Sequence, residues 1–348
     1  MPVFGQGIVP AGSYGGANLG GELNAVTRRA FVPKMIVQLY NSTPLAASLL
    51  STAQTATGGV SSVSIPVQGN PYVNTQYSDY TGTFSQPADL QGAFLAEFNL
   101  KVLITPIPFL GMEGLVQLDH AVIPLIEARM NDATNSMILT ITNSLYGNFS
   151  NLNQIVGLPG AIDDGTQLAT YGNILRSTGN PNTWFQSRVY YNTGAAVNPT
   201  RQNILQWIAG TVKNCGEVPT YGLTGPGTWT LLAQDFIGQE TYVVTPDSAF
   251  SDSGNEGDGI KAAFRALMVG GVPVYLDPYA TEGTLWLPNT NYMNLYVHEQ
   301  ASFAFTGFES LLPNWQLGFV GAVVTAAELV NAKPKASTRV QNLNYLTI

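Results

Sequence analysis

The chain has 348 residues, enough for one large or two medium domains with a buried core, yet only 10% of them are charged where soluble domains average about 25%. Fourteen Lys and Arg against 22 Asp and Glu leave a net charge of −8, with no basic block of the kind that marks a sequence-specific nucleic-acid binder. The single cysteine, Cys215, excludes an intrachain disulfide, and two distant histidines, His120 and His298, are too few for a Cys/His zinc site.

The shortage of charge fits a subunit whose surface is covered by other subunits, because interface cores are depleted in charge. It fits equally a secreted β-rich protein with a neutral polar surface. Met1–Pro10 shows neither a basic region nor an apolar core, so no secretory signal is expected. The apolar stretch 317–330 is interrupted by Glu328 and is too short and mixed to span a bilayer, so cytoplasmic synthesis is expected. The Asn-x-Ser/Thr matches at Asn41 and Asn148 carry no weight without secretion.

Residues 1–30 are Gly-rich and apolar-poor and cannot bury enough surface to fold alone, which predicts an extended arm. Arg28, Arg29 and Lys34 close this segment, and no further Lys or Arg occurs before Lys101. Within that run, 60–68 (VSSVSIPVQ) alternates polar and apolar residues as a strand does, and a Gly69-Asn70-Pro71 turn follows. A polar excursion of roughly 30 residues, dotted with Tyr72, Tyr77, Tyr80 and Phe84, leads to a second extended stretch at 97–109. A two-stranded ribbon cannot stabilise itself in water and calls for a partner surface. Nucleic-acid stacking on these aromatics would want cations, which the run lacks, so they read as anchors of a protein–protein contact, where Tyr and Phe are enriched.

From 113 to 147, apolar residues fall at Leu115, Leu118, Val122, Leu125, Ile126, Met130, Ala133, Met137, Ile141 and Leu145, a helical stripe in steps of three and four. Pro124 predicts a kink or break near its first third, and Gly147 a stop. After a loop-rich stretch, Asn198 as N-cap, Pro199 as first residue and a stripe at Ile204, Leu205, Ile208 and Val212 predict a second helix ending at Gly216. Strands are predicted at 228–232, 241–245, 272–276, 284–287 and 293–298, with a helix at 259–268 and an extended or ambiguous segment at 316–327. A polar tail runs from Pro334 to Ile348. The mixture is α+β, with no internal repeat.

Catalytic constellations are nearly absent: there is no nucleophile elbow, Walker loop, HExxH or dinucleotide fingerprint. His120 beside Asp119 and His298 before Glu299 read as satisfied or solvated side chains. Asp163-Asp164 is a cation candidate that reads better as a turn, and the acidic loop 251–259 (SDSGNEGDG) lacks the ligand order of calcium loops. Cys215, near a helix end, reads as a small apolar filler. No catalytic, cofactor or metal residue is assigned.

The order of pieces resembles the Hong Kong 97-type coat fold of tailed-phage capsid proteins and encapsulins. The C-terminal half carries the resemblance, in YVVTPD (242–247), FRALMVGGVPVYLDP (264–278), LWLPNTNYMNLYVHEQASFAF (285–305) and QLGFVGAVVTAAELVNAKPKASTRVQNL (316–343). Its softer family patterns are Gly271–Asp277, Pro288–Leu295 and Arg339–Leu343. The resemblance implies an N-terminal arm at 1–30 and an extended loop at 55–100 lying over a neighbour. It implies a peripheral domain at 31–54 and 101–224 with a spine helix at about 113–147, an axial domain at 225–310 and a return to the peripheral domain over 311–348.

It further implies a non-enzymatic major capsid protein, made in the host cytoplasm, that assembles into hexamers and pentamers of an icosahedral virion shell around packaged dsDNA, held without a cofactor and without a membrane. Tyr72, Tyr77, Tyr80, Phe84, Arg28 and Arg29 are the candidate intersubunit contacts. Scaffolding and portal proteins would be partners, with room for a cement protein, and DNA contact would be nonspecific. Some family members cross-link through a loop lysine; the absence of Lys between 35 and 100 argues against that route here. The rival readings are an encapsulin-type compartment with an enzyme cargo, a surface β-protein, and a hydrolase with an unrecognised site.

Overall fold

The computed structural model describes residues 43–56, 61–69, 77, 92–110, 119–147, 153–177, 181–236, 266–311 and 318–347. The arm at 1–30, the strand at 241–245 and the acidic loop 251–259 lie outside them.

Two sheets organise these residues. The first is built on β14 (Gly318–Asn331), a strand of 14 residues. Along one edge it pairs antiparallel with β4 (Lys101–Leu110) in unbroken register, from Lys101↔Ala327 to Leu110↔Gly318. Along the other edge it pairs with β12 (Met293–His298) and then β13 (Ala304–Ser310). Ala327 shows the arrangement, since it faces Lys101 on one side and Val297 on the other. β1 (Gln54–Ala56) completes this sheet as a short parallel strand on β12. The segment at 316–327 is thus a strand, and it runs on to Asn331.

The stripe that predicted the long helix packs on this sheet. α2 (Asp119–Tyr146) buries Met130, Ala133, Met137, Ile141 and Leu145, each burial worth about 1.5–3 kcal/mol for the larger side chains. The helix runs through Pro124 without the expected break, and the expected start at 113–118 lies outside the described residues. α1 (Pro44–Ser51) buries Leu45 and Leu49 in the same core, and the single turn α3 (Leu158–Ala161) buries Leu158 and Ala161 there.

The second sheet has six strands in the order β7 (Arg188–Tyr190), β15 (Thr338–Val340), β11 (Leu285–Leu287), β8 (Gly222–Thr224), β10 (Val272–Leu276), β9 (Ala266–Val269). Both faces are covered. Val272, Val274, Leu285 and Leu287 face a core shared with α4 (Arg201–Cys215) and α5 (Pro226–Asp235), while Tyr275 and Trp286 face the core around α2. Alternation with period two explains how strands this short carry apolar residues at every position.

Three sequence expectations change here. Residues 228–232 are helix α5, not strand: Pro226 stands at its first position, and the Glu282 carboxylate accepts from Gly227 N, Thr228 N and Thr228 Oγ1, capping the helix from 54 residues away. Ala266–Met268 are strand β9, not the end of a helix, because Gly270 and Gly271, both at positive φ, turn the chain back into β10. The cap of α4 is Thr200 rather than Asn198. Thr200 Oγ1 accepts from Asn203 N, while Asn198 uses its carbonyl on Thr200 N and Asn203 Nδ2. Gly216 ends α4 as expected, in the left-handed conformation.

Candidate functional site

Of the six expected contact residues, only Tyr77 is described, and it is fully exposed; Tyr72, Tyr80, Phe84, Arg28 and Arg29 lie outside the described residues. What the structure does place is the root of the excursion between them. β2 (Ser62–Gln68) and β3 (Ala93–Asn99) pair antiparallel from Ser62↔Asn99 to Gln68↔Ala93, so the two extended stretches are one ribbon. Its inner face does not wait for a foreign partner. Ala96 and Phe98 are buried, Phe98 meets Tyr171 edge-on at 4.9 Å, and Phe94 packs against Trp184 at 5.0 Å. The need for a partner surface is met, for this face, by the chain's own body.

The receptor is a tight hairpin, β5 (Thr170–Tyr171) to β6 (Ile174–Leu175), whose turn residues Gly172 and Asn173 both have φ near +60°. Gly172 O accepts from Glu97 N at 3.1 Å, and Asn173 Nδ2 donates to Glu97 Oε2 at 3.2 Å. A Cβ on Gly172 would lie 2.6 Å from the Phe98 ring, so only glycine lets the ribbon sit this close.

The outer face is different. Leu95 in β3 is 61% exposed, and Val102 and Ile104 in β4 are 57% and 58% exposed. Along β3 the exposed side chains are odd-numbered, along β4 even-numbered, so the alternation slips by one residue at Leu100–Lys101 while one solvent-facing row continues. Pro106 and Pro108 extend this row. Below Pro106 an open groove of about 340 Å³ separates β4 from α2, lined by Thr105, Ile107, Pro108, Arg129, Asp132 and Ala133. Arg129 Nη1 bridges it, donating to Pro108 O at 2.7 Å.

Among the described residues no group of three His, Cys, Asp or Glu side chains stands close enough to hold a metal ion. Asp163 and Asp164 form the turn: Asp163 Oδ2 accepts from Gly165 N, Gln167 N and Leu168 N, and Asp164 Oδ1 from Thr166 N and Tyr191 OH. His298 Nδ1 accepts from Gln300 N. The His120 side chain lies outside the described residues. Cys215 is half-buried, and its Sγ accepts from Glu217 N at 3.4 Å, so it is bonded rather than a plain apolar filler.

Sequence reasoning missed the buried polar groups that hold these surfaces in place. Arg176 and Arg339 are both fully buried. Arg176 Nη2 lies 3.9 Å from Asp163 Oδ2 and donates to Gly160 O; Arg339 Nη1 donates to Pro159 O and Gln167 Oε1. Burial pulls both guanidinium pKa values down, against the opposing pull of nearby acids and phenols. Tyr146, the last residue of α2, donates to Asp277 Oδ2 at 2.8 Å and so ties the long helix to the six-stranded sheet; burial pushes both groups' pKa values up. Glu328 on β14 is buried, accepts from Val156 N at 2.9 Å through Oε1, and has no partner for Oε2 among the described residues. Burial raises its pKa to about 8. Arg339 and Asp277 both stand in the soft patterns quoted above, and that was the only signal for them.

No family model matches this chain, and no curated protein does. Solved structures do. The chain is similar to the cyanophage A-1(L) capsid asymmetric unit at 15% identity and a TM-score of 0.59, over 87% of this chain and 93% of that one. It is similar to the capsid of a native GTA particle at 12% identity and a TM-score of 0.51, over 86% and 90%. A holo-SrpI encapsulin complex from Synechococcus elongatus PCC 7942 follows at 13% identity and 0.44, over 85% and 87%. At these identities the first two likenesses show the fold: an α+β chain of the Hong Kong 97-like coat type.

Proposed function

We propose that this chain is a major capsid protein, a non-catalytic subunit that repeats to build the icosahedral virion shell of a tailed phage around its dsDNA. The observation that carries the reading is the likeness to a phage capsid structure over 87% of this chain and 93% of that one. The charge-poor composition and the apolar row at Leu95, Val102 and Ile104 support it, since interface cores are depleted in charge and a run of exposed apolar side chains marks an interaction surface. Among the described residues no helix is long and apolar enough to cross a membrane.

In this reading α2 and the five-stranded sheet form the peripheral unit, α2 is its spine, and the six-stranded sheet forms the core of the axial unit, which moves β7, β8 and β15 to the axial side and β12 and β13 to the peripheral side of the bounds 101–224, 225–310 and 311–348 expected from the sequence. The ribbon is the base of the extended loop, and the arm and Tyr72, Tyr77, Tyr80 and Phe84 make contacts with neighbours. Each contact is heterologous, so rotation closes copies into hexamers and pentamers, and permanent assemblies of this type bury upwards of about 2,000 Å² per interface. Scaffolding and portal proteins would guide closure, and DNA would be confined rather than specifically bound.

The purified chain is expected to form closed hollow particles, or capsomer rings, visible by negative-stain microscopy and sedimenting far faster than a 37.2 kDa monomer. A monodisperse monomer at every concentration, with or without a scaffold, would sink the reading.

A further inference from the structure

The outer strands of the two sheets are not equally protected. Soluble proteins keep outer strands short, bulged, charged or covered, because their unpaired N–H and C=O groups recruit other strands. β1, β7 and β9 are three, three and four residues long. β13 breaks its register between Phe305 and Phe308, around Gly307 at φ +94°. β4 has ten residues in unbroken register, and among the described residues no strand pairs with its outer edge.

The direction of its backbone groups follows from two independent observations. In an antiparallel ladder the N–H and C=O of one residue point the same way, and successive residues alternate. Pro108 O is taken by Arg129 of α2, so Pro108 faces away from β14. Even-numbered residues share that direction, and the strand's two prolines, Pro106 and Pro108, which have no N–H to donate, both fall there. From Pro106 onward the edge is therefore closed by proline and by Arg129. Val102 and Ile104 remain, with outward N–H and C=O groups and side chains more than half exposed.

We infer that the outer edge of β4 at Val102 and Ile104 takes an extended backbone segment of a second copy of this chain as an added strand. The inference rests on the coat-subunit reading and names where one of its contacts is made. Strand addition uses main-chain hydrogen bonds for affinity and alternate side chains for fit, and Val102 and Ile104 offer both. The occupant must be present once per edge, a condition that another copy of the subunit meets. Charge agrees: Lys101 opens the edge and Arg129 closes it, while every copy carries the run 35–100 with no Lys or Arg and with Asp79 and Asp89.

The strand's own prolines suggest the test. Val102→Pro with Ile104→Pro removes only N–H groups that face away from β14, so the ladder within the subunit is kept. The wild-type amides of residues 102 and 104 are expected to exchange hydrogen about tenfold or more slowly in assembled particles than in free subunits. The double variant is expected to melt as the wild type does while its particle yield falls about tenfold or more. Equal exchange in particle and free subunit, whether slow because the chain covers its own edge or fast because nothing does, overturns the inference, as does a wild-type particle yield from a folded double variant. Should the double variant fail to fold, the exchange measurement on the wild type decides. Should the wild type form neither particles nor capsomer rings, with or without a scaffold, the coat reading fails by itself. The inference is then judged by sedimentation: self-association that the double variant loses supports it, and a monomer at all concentrations overturns it.

Discussion

The six-stranded sheet and the five-stranded sheet share a core yet end differently. The first stops at strands of three and four residues, both faces are covered, and the C-terminal segment is stitched across it by Val197 N to Asn342 O, Asn344 N to Val197 O and Leu346 N to Gly227 O. The second stops at a ten-residue strand with an apolar row facing solvent, beside a ribbon of which only one face is packed. Buried charge does not divide them: Asp163 Oδ1 and Arg176 Nη1 beside the six-stranded sheet, like Glu328 Oε2 in the five-stranded one, have no hydrogen-bond partner among the described residues. The division lies at the edges, where one sheet is finished within the subunit and the other carries the features that a neighbour would complete.

The sharpest way to break the closed side is through Asp163. Its Oδ2 holds three backbone N–H groups at 3.0 Å and lies beside Arg176, and its own carbonyl accepts from Ser187 N next to β7. Asp163→Ala leaves those three N–H donors without their acceptor and takes from the buried Arg176 guanidinium the acid it lies beside. A loss of about 3–5 kcal/mol is expected in urea unfolding of the free subunit. Asp163→Asn keeps one acceptor and is expected to cost roughly half as much. A loss below about 1 kcal/mol for the alanine variant would mean that the knot does not hold this side together.

The open sheet should differ in kind, through pH. Glu328 carries a folded pKa of about 8 against an ordinary 4.5, because burial penalises its charged form more than Val156 N, Lys101 and Leu329 N favour it. The unfolded chain gives up this proton near 4.5 while the folded chain keeps it, so the stability this group contributes is full below about 4.5 and is lost as pH rises to 8. Roughly 2–4 kcal/mol is expected to disappear across that window. Glu328→Gln is expected to match the wild type at pH 5 and exceed it at pH 9. Parallel urea midpoints for the two proteins from pH 5 to pH 9 would show that Glu328 does not titrate in this range.

The long helix, β2, β10, β12 and the stop at Gly216 could be read from the chain because each is announced by local periodicity or by a residue whose conformation is special. α5 could not, since Thr228, Trp229 and Thr230 favour strands and the acid that caps the helix, Glu282, arrives from far along the chain. β9 carries its own signal: Gly270-Gly271 between two apolar runs marks a hairpin, and it outweighs the helical spacing before it. Of the expected contact residues only Tyr77 can be placed, while the exposed Val102 and Ile104 look in sequence like any buried strand. An apolar residue left uncovered has the same letter as one in the core, and only the pairing of β4 with a single neighbour tells them apart.

The mildest perturbation addresses a place where the ribbon is fastened to the body of the subunit. Gly172 accepts the Glu97 amide and lies against Phe98, at φ +56°. Gly172→Ala meets both a left-handed backbone and the Phe98 ring, so about 1–2 kcal/mol of global stability is expected to be lost. If the ribbon is docked through this contact, its strands should be cut by protease several-fold faster in the Gly172→Ala free subunit, while β7–β15 and α4 stay protected. Uniform cleavage across both sheets would show that ribbon and body unfold as one unit, and the contrast between a finished and an unfinished side would then be one of surface only.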